Sequence, residues 1–358
     1  MIALRKALCV MALVIPGFVG SNALLSLSAQ AESSSAPGLS QAQTQQQLAK
    51  AHISMRMASG LFRAGKFEQA QGYISSALDI VLRVRGKNHR DTAVISTILA
   101  SNMQNQGMLD EAGALYRTGL EIAEKVMGVE HPFTVSTRDS FALNLDARDM
   151  HEAAEPLHRH VLKTRERVFG TSHPETATGY ARLGSNLDHQ GRHLEAEAYH
   201  RTALIVRERA FGLNNTNTAR SYNNLAANFD KQGRTKDAEP LHRKVLKIHL
   251  DIYGTDSRYT AQSYNNVAFN LSAQKRYKEA EALYTKALDI WVKKLGENHP
   301  STLKGYSNLA MNLVKQDRQD EARALMKKAM SSARKYLGET HPQTKFYTKT
   351  YQTYFGET

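Results

Sequence analysis

The sequence predicts an all-α chain, a stack of about seven two-helix repeats with a leader before it and one further helix after it. Three observations carry this. Glycine recurs at 86, 128, 170, 212, 254, 296 and 338, always 42 residues apart. A threonine follows each of them six residues later, from Thr92 to Thr344. Between these marks the apolar residues fall at helical spacing, with alanine in fixed columns. Self-similarity at such a period means stacked supersecondary units, each burying its apolar face on its neighbours.

The first 31 residues stand outside this pattern. Arg5 and Lys6 precede an apolar stretch from Ala7 to Leu27, and Ala29-Gln30-Ala31 has the small-x-small form of a cleavage site. Residues 1–31 therefore read as a secretory signal peptide, with an uncleaved membrane anchor as the other reading. Cleavage after Ala31 would place the chain in the periplasm or outside the cell. It would also remove Cys9, the only cysteine, and with it all thiol chemistry. Residues 32–45, rich in Ser, Gln and Ala, are expected to form a flexible linker.

Repeats are expected near 46–86, 87–128, 129–170, 171–212, 213–254, 255–296 and 297–338, within a solenoid spanning 46–342. The first is worn, but Gly60, Leu61, Gly65, Phe67, Ala70, Ala77 and Leu78 keep its register. In the sixth, Ala261, Tyr264, Val267, Ala268 and Leu271 lie on one face of a first helix. Gln274-Lys275-Arg276 makes a turn. Ala280, Leu283, Tyr284, Ala287, Leu288 and Leu295 then mark a second helix, which ends at Gly296. Small residues at fixed points let paired helices approach closely. They are Ala100, Ala142, Gly184, Ala226, Ala268 and Ala310 on first helices, and Ala112, Ala154, Ala196, Ala238, Ala280 and Ala322 on second helices.

The loop joining repeats is fullest at Gly296-Glu297-Asn298-His299-Pro300. Glycine tolerates the positive φ just past a helix end, and proline suits the first helical turn, so the loop reads as helix stop and helix start. Residues 343–358 read as a lone closing helix with Tyr347, Tyr351, Tyr354 and Phe355 at helical spacing. It is a cap or, given its aromatic content, a self-association contact.

Chemistry is sparse. The net charge of +13 and pI of 9.6 admit an anionic partner, but the basic residues spread over every repeat and form no run. Five of the fourteen histidines, His89, His131, His173, His299 and His341, belong to the loop, and His158, His200 and His242 share a second-helix column with Tyr116 and Tyr284. These read as structural, not as metal ligands. No phosphate loop, zinc-protease helix or nucleophile motif is present. Glu155-Pro156 and Glu239-Pro240 read as the start of second helices. Trp291, in a column otherwise holding Ala123, Arg165, Arg207 and His249, is expected to pack at the surface. No enzyme, metal or cofactor is indicated.

Asparagine is the informative residue. Asn102, Asn144, Asn186, Asn228, Asn270 and Asn312 form an unbroken first-helix column, expected to be an internal hydrogen-bonding ladder. A shorter column holds Asn224, Asn266 and Asn308, with Asn223 and Asn265 beside it.

The stretch from Tyr222 to Gly233 resembles the first helix, and that from Asp237 to Leu246 the second helix, of the tetratricopeptide repeat (TPR) in its 42-residue, kinesin-light-chain-like form. The resemblance covers 46–358. It implies a right-handed superhelix of about seven helix pairs with a C-terminal capping helix, its first helices lining the concave face. It also implies that the shorter asparagine column grips the backbone of a bound peptide. On that footing the candidate partner-binding residues are Asn223, Asn224, Asn265, Asn266, Asn308, Arg182, Arg220, Lys231 and Lys315. The expected function is a non-enzymatic scaffold of the cell envelope that holds a protein or peptide in its groove. The alternative is a binder of acidic glycan or anionic lipid headgroups. No nucleic-acid partner is expected.

Overall fold

A computed structural model describes residues 39–356; the expected signal segment and most of the expected linker lie outside them. Among the described residues there are fifteen helices and no strand. They are α1 (Gln41–Arg63), α2 (Phe67–Arg85), α3 (Arg90–Asn105), α4 (Leu109–Met127), α5 (Pro132–Ala147), α6 (His151–Phe169), α7 (Pro174–His189), α8 (His193–Phe211), α9 (Thr216–Lys231), α10 (Thr235–Tyr253), α11 (Arg258–Ala273), α12 (Tyr277–Leu295), α13 (Pro300–Val314), α14 (Gln319–Leu337) and α15 (Pro342–Phe355). Two compact units divide them, the first ending at Arg192 and the second beginning at His193. In each, consecutive helices pack on one another.

The helix boundaries follow from the repeated loop. Its glycines take φ between 76° and 93°, a region that side-chain-bearing residues avoid, so each second helix stops there. The threonine six residues on donates its hydroxyl to the glycine carbonyl, as Thr176 does to Gly170 at 2.7 Å and Thr302 to Gly296 at 2.8 Å. The loop histidines are N-caps. Nδ1 of His89, His131, His173, His299 and His341 each accepts an amide N–H from the first turn of the following helix, at 3.1–3.2 Å. Asn215 and Ser257 do the same where histidine is missing, which is why the degraded loops still start a helix.

Two boundaries differ from expectation. Helix α1 begins at Gln41, inside the stretch expected as linker, because Ser40 and Gln43 form a capping box. Pro156 and Pro240 lie inside α6 and α10, not at their starts; the helices begin at His151 and Thr235, one full turn earlier.

Both alanine columns are fully buried; Ala112, Ala154, Ala196, Ala238, Ala280 and Ala322 have 0% exposure. Around them, Ile74, Leu78, Ile95 and Leu99 build the core of the first pairs, and Val267, Leu271, Leu303, Leu313 and Met326 that of the last. The closing helix buries Tyr347, Tyr351 and Phe355 in that last cluster. Lys345, Lys349 and Gln352 are exposed on it.

Trp291 corrects the surface expectation: it is 1% exposed and belongs to a core cluster with Ala261 and Ala287. Space for the indole comes from Gly305 of the next first helix, where a Cβ would lie 3.0 Å from the ring. The other members of the column meet partners cut to their own size. Arg207 donates to Ser221 Oγ at 2.9 Å, His249 Nδ1 lies 2.7 Å from Ser263 Oγ, and Arg165 passes over Gly179.

Candidate functional site

Many of the buried polar side chains join one repeat to the next. The longer asparagine column is such a ladder. Asn102, Asn144, Asn186, Asn228, Asn270 and Asn312 are 0–1% exposed. Each donates Nδ2, at 2.9–3.1 Å, to the first carbonyl of the preceding repeat's second helix: Phe67, Leu109, His151, His193, Thr235 and Tyr277. A second ladder lies outside it. Glu155, Glu197, Glu239 and Glu281 each accept from a glutamine and an arginine of the next repeat, as Glu239 does from Gln274 at 2.9 Å and Arg276 at 2.8 Å. Burial raises the Glu239 carboxyl, but these bonds and that from Arg243 outweigh it and hold it below its ordinary value. Glu155 and Glu197 are lowered in the same way.

The histidine column is structural as well. His158 Nε2 lies 2.7 Å from Asp146 Oδ2, and His242 Nε2 lies 2.9 Å from Asp230 Oδ2. The carboxylates were not anticipated, although Asp146, Asp188 and Asp230 keep the 42-residue spacing and could have been found from it. Among the described residues no cluster of His, Cys, Asp and Glu could hold a metal ion.

The residues singled out for partner binding divide between the units. Arg182 lies on α7 in the first unit, where it and Arg165 donate to the buried Asp139. Burial pushes the Asp139 carboxyl up, but the two guanidiniums outweigh it and hold it well below the carboxylate range. Arg182 is thus occupied by a buried partner that composition and spacing did not reveal.

The other eight come together in the second unit on α9, α11, α13 and the residue capping α13. Asn266 Nδ2 donates to Asn223 Oδ1, and Asn308 Nδ2 to Asn265 Oδ1, both at 2.8 Å. Gln262 Nε2 donates to Asn266 Oδ1 at 2.7 Å. The amides therefore form a third ladder, this one near the surface: Asn223, Asn224, Asn266 and Asn308 are half-buried, while Asn265 is buried at 2% exposure. Arg220, Lys231 and Lys315 are exposed and make no ion pair.

Two exposed residues that sequence reasoning did not select share this stripe. Lys304 stands on α13 at the position Arg220 holds on α9, and it too is unpaired. Phe269, three residues beyond Asn266 and so on the same helix face, is 55% exposed. An outward phenylalanine looks like a core residue in a one-dimensional pattern, so only the packing reveals it. Across α9, α11 and α13 the sole acid is Asp230, already held by His242 and by Asn270 at 2.6 Å. Lys315 also borders an open depression lined by Lys275, Arg276, Tyr277, Lys278, Glu279 and Gln316. The stripe is a cationic, amide-rich surface on whose middle helix Phe269 and Tyr259 are exposed.

A family model described as tetratricopeptide repeat matches residues 94–167, 175–251 and 259–335, well over half of the chain. The chain belongs to the tetratricopeptide repeat family. Solved structures share the TPR fold at low sequence identity. BtubC (BKLC) from P. vanneervenii is 21% identical with a TM-score of 0.54, over 65% of this chain and 94% of that one. A kinesin light chain protein of nearly identical TPR-like repeats from Podosopora anserina is 19% identical with a TM-score of 0.52, over 58% and 98%. A Rap protein complexed with Competence and Sporulation Factor is 15% identical with a TM-score of 0.56, over 82% and 78%. No curated protein matches the chain. The TPR architecture is generally a non-catalytic scaffold for protein interaction.

Proposed function

We propose that the chain is an exported scaffold that holds an extended, carboxylate-rich segment of a partner protein on the stripe formed by α9, α11 and α13. The observation that carries this reading is the pairing of a row of surface amides with four cations, Arg220, Lys231, Lys304 and Lys315, that have no acid of their own to bind. An amide both donates and accepts, so the row suits a peptide backbone of any sequence, and the cations favour acidic side chains. A fold relative crystallised in complex with Competence and Sporulation Factor supports a binding role for this architecture. The net charge of +13 also suits acidic glycan or anionic lipid headgroups, whose binding would collapse with salt.

The test is retention of peptides from a random-sequence display library by the mature protein at physiological salt. Acidic peptides are expected to be enriched. Asn224→Ala with Asn266→Ala should weaken their retention several-fold at unchanged helix content, since one such amide contributes roughly 0.5–1.5 kcal/mol. Asn228→Ala, in the buried ladder, should leave affinity alone. Enrichment that ignores the Asn224/Asn266 pair places the ligand elsewhere and defeats the reading.

A further inference from the structure

We propose that this stripe reads spacing as well as charge: it selects an extended segment with two carboxylates six residues apart and a bulky apolar side chain midway between them. The inference rests on the peptide-scaffold reading above and adds the register of the ligand.

The argument begins with the amide row. Asn224, Asn266 and Asn308 occupy one position on three successive first helices, and the 2.8 Å bonds Asn266–Asn223 and Asn308–Asn265 tie those helices side by side. Asn266 is fixed on both atoms, because Gln262 donates to its Oδ1. A backbone laid along this row meets amides already held in place, which lowers the ordering cost of binding.

The two edges of the row differ. Four residues before each asparagine stand Arg220, Gln262 and Lys304: cation, neutral amide, cation. Three residues after each stand Ala227, Phe269 and Met311, of which only Phe269, at 55%, is strongly exposed. One edge thus offers two positive charges separated by the neutral Gln262 on the middle helix. The other offers one aromatic ring on that middle helix.

Distance and parity then fix the ligand. Successive first helices, joined here by amide side chains, lie at the wide end of helix spacing, roughly 10 Å, so Arg220 and Lys304, two first helices apart, stand on the order of 20 Å apart. An extended chain advances about 3.3 Å per residue, so that gap is about six residues. Successive side chains of an extended segment point to opposite sides. Two carboxylates reaching the same edge must be an even number of residues apart, which leaves six. The residue midway is the third, of odd parity, and points to the other edge at the level of the middle helix, where Phe269 stands. The arrangement reads the same in either chain direction, so it does not specify polarity.

The probes are synthetic acetylated peptides containing Asp-x-x-Phe-x-x-Asp in a Ser/Gly background, with isomers of identical composition. In one isomer the aspartates are three residues apart; in another the phenylalanine is moved by one residue. Affinity for the mature full chain is read by fluorescence anisotropy at physiological salt. The matched peptide should bind roughly tenfold tighter than either isomer, the scale of one charge-assisted contact. Arg220→Gln and Lys304→Gln should each remove most of that preference. Phe269→Ser should abolish the advantage of Phe over Ser in the peptide while leaving the Ser peptide unchanged. All three side chains are exposed, so circular dichroism should show wild-type helix content. Equal affinity for the isomers overturns the spacing rule and leaves the acidic-peptide scaffold standing. Failure of every acidic peptide to bind overturns both.

Discussion

The loop histidines cap their helices through one nitrogen, and that makes the fold sensitive to protonation. Nδ1 of His131 accepts the Phe133 amide at 3.2 Å, and Nδ1 of His89 accepts the Asp91 amide at 3.1 Å, which a ring protonated there cannot do. Burial lowers both imidazoles from the ordinary value of 6.5; at His89 it outweighs the opposing pull of Asp91. A folded-state pKa below the unfolded one gives stability that is complete above 6.5 and is lost as pH falls through 6.5 towards the folded value. Tm should therefore drop between about pH 7 and 5. The double change His89→Asn, His131→Asn copies the cap that Asn215 supplies to α9 and should flatten part of that drop; His160 and His249, also lowered by burial, contribute in the same direction. An unaltered acid profile in the double variant would refute the capping account. In the buried ladder, Asn228→Ala removes the 2.9 Å bond to the His193 carbonyl, and thermal unfolding should show a loss of about 1–3 kcal/mol.

Between helices, each contact in the Trp291 column is matched to its own partner. Gly305→Ser alone should cost about 1–3 kcal/mol, because its Cβ would press on the indole 3.0 Å away. Trp291→His alone empties a buried pocket and should cost more. Made together, the two substitutions rebuild the His249–Ser263 pair of the preceding interface. Their combined cost should fall short of the sum by about 0.5–3 kcal/mol in a double-mutant cycle. Strict additivity would show that the pairing is coincidental. The column also bears on folding. A stack of near-identical repeats can pair with the wrong neighbour, and interfaces that differ in size and polarity penalise such slips.

At the scale of the whole molecule, helix pairs within each unit are tied to the next by an alanine contact and an asparagine-to-carbonyl bond, joined from Glu155 onward by a glutamate held by glutamine and arginine. Each acts only between neighbours, so the effect of a change at one interface stays local to it. Ala238→Leu, which overpacks one pair, should lower stability by about 1–3 kcal/mol without altering the helices of distant repeats, as hydrogen exchange would register. The proposed export is tested on the whole chain. Cleavage after Ala29-Gln30-Ala31 would give a mature N terminus at Glu32 or a close neighbour, which N-terminal sequencing of protein from the cell envelope and medium checks. Retention of the intact chain in the cytoplasm would remove the export half of the proposed function.

The sequence by itself determined the all-α stack, its period, its loops and the buried alanine and asparagine columns. Period, helical spacing and backbone preference are local properties, and a column repeated six times averages away the accidents of any one copy. Only the tertiary structure decided which side chains are already engaged. Arg182 and Lys304 are both first-helix cations, yet one is neutralised by Asp139 and the other faces solvent unpaired. Trp291 and Phe269 are both aromatic, yet one is 1% exposed and the other 55%. The difference lies in residues more than a dozen positions away, Gly305 and Asp139 among them, which reach their partners only when one repeat packs on the next. A contact between repeats depends on two residues at once, and a one-dimensional pattern records each of them separately.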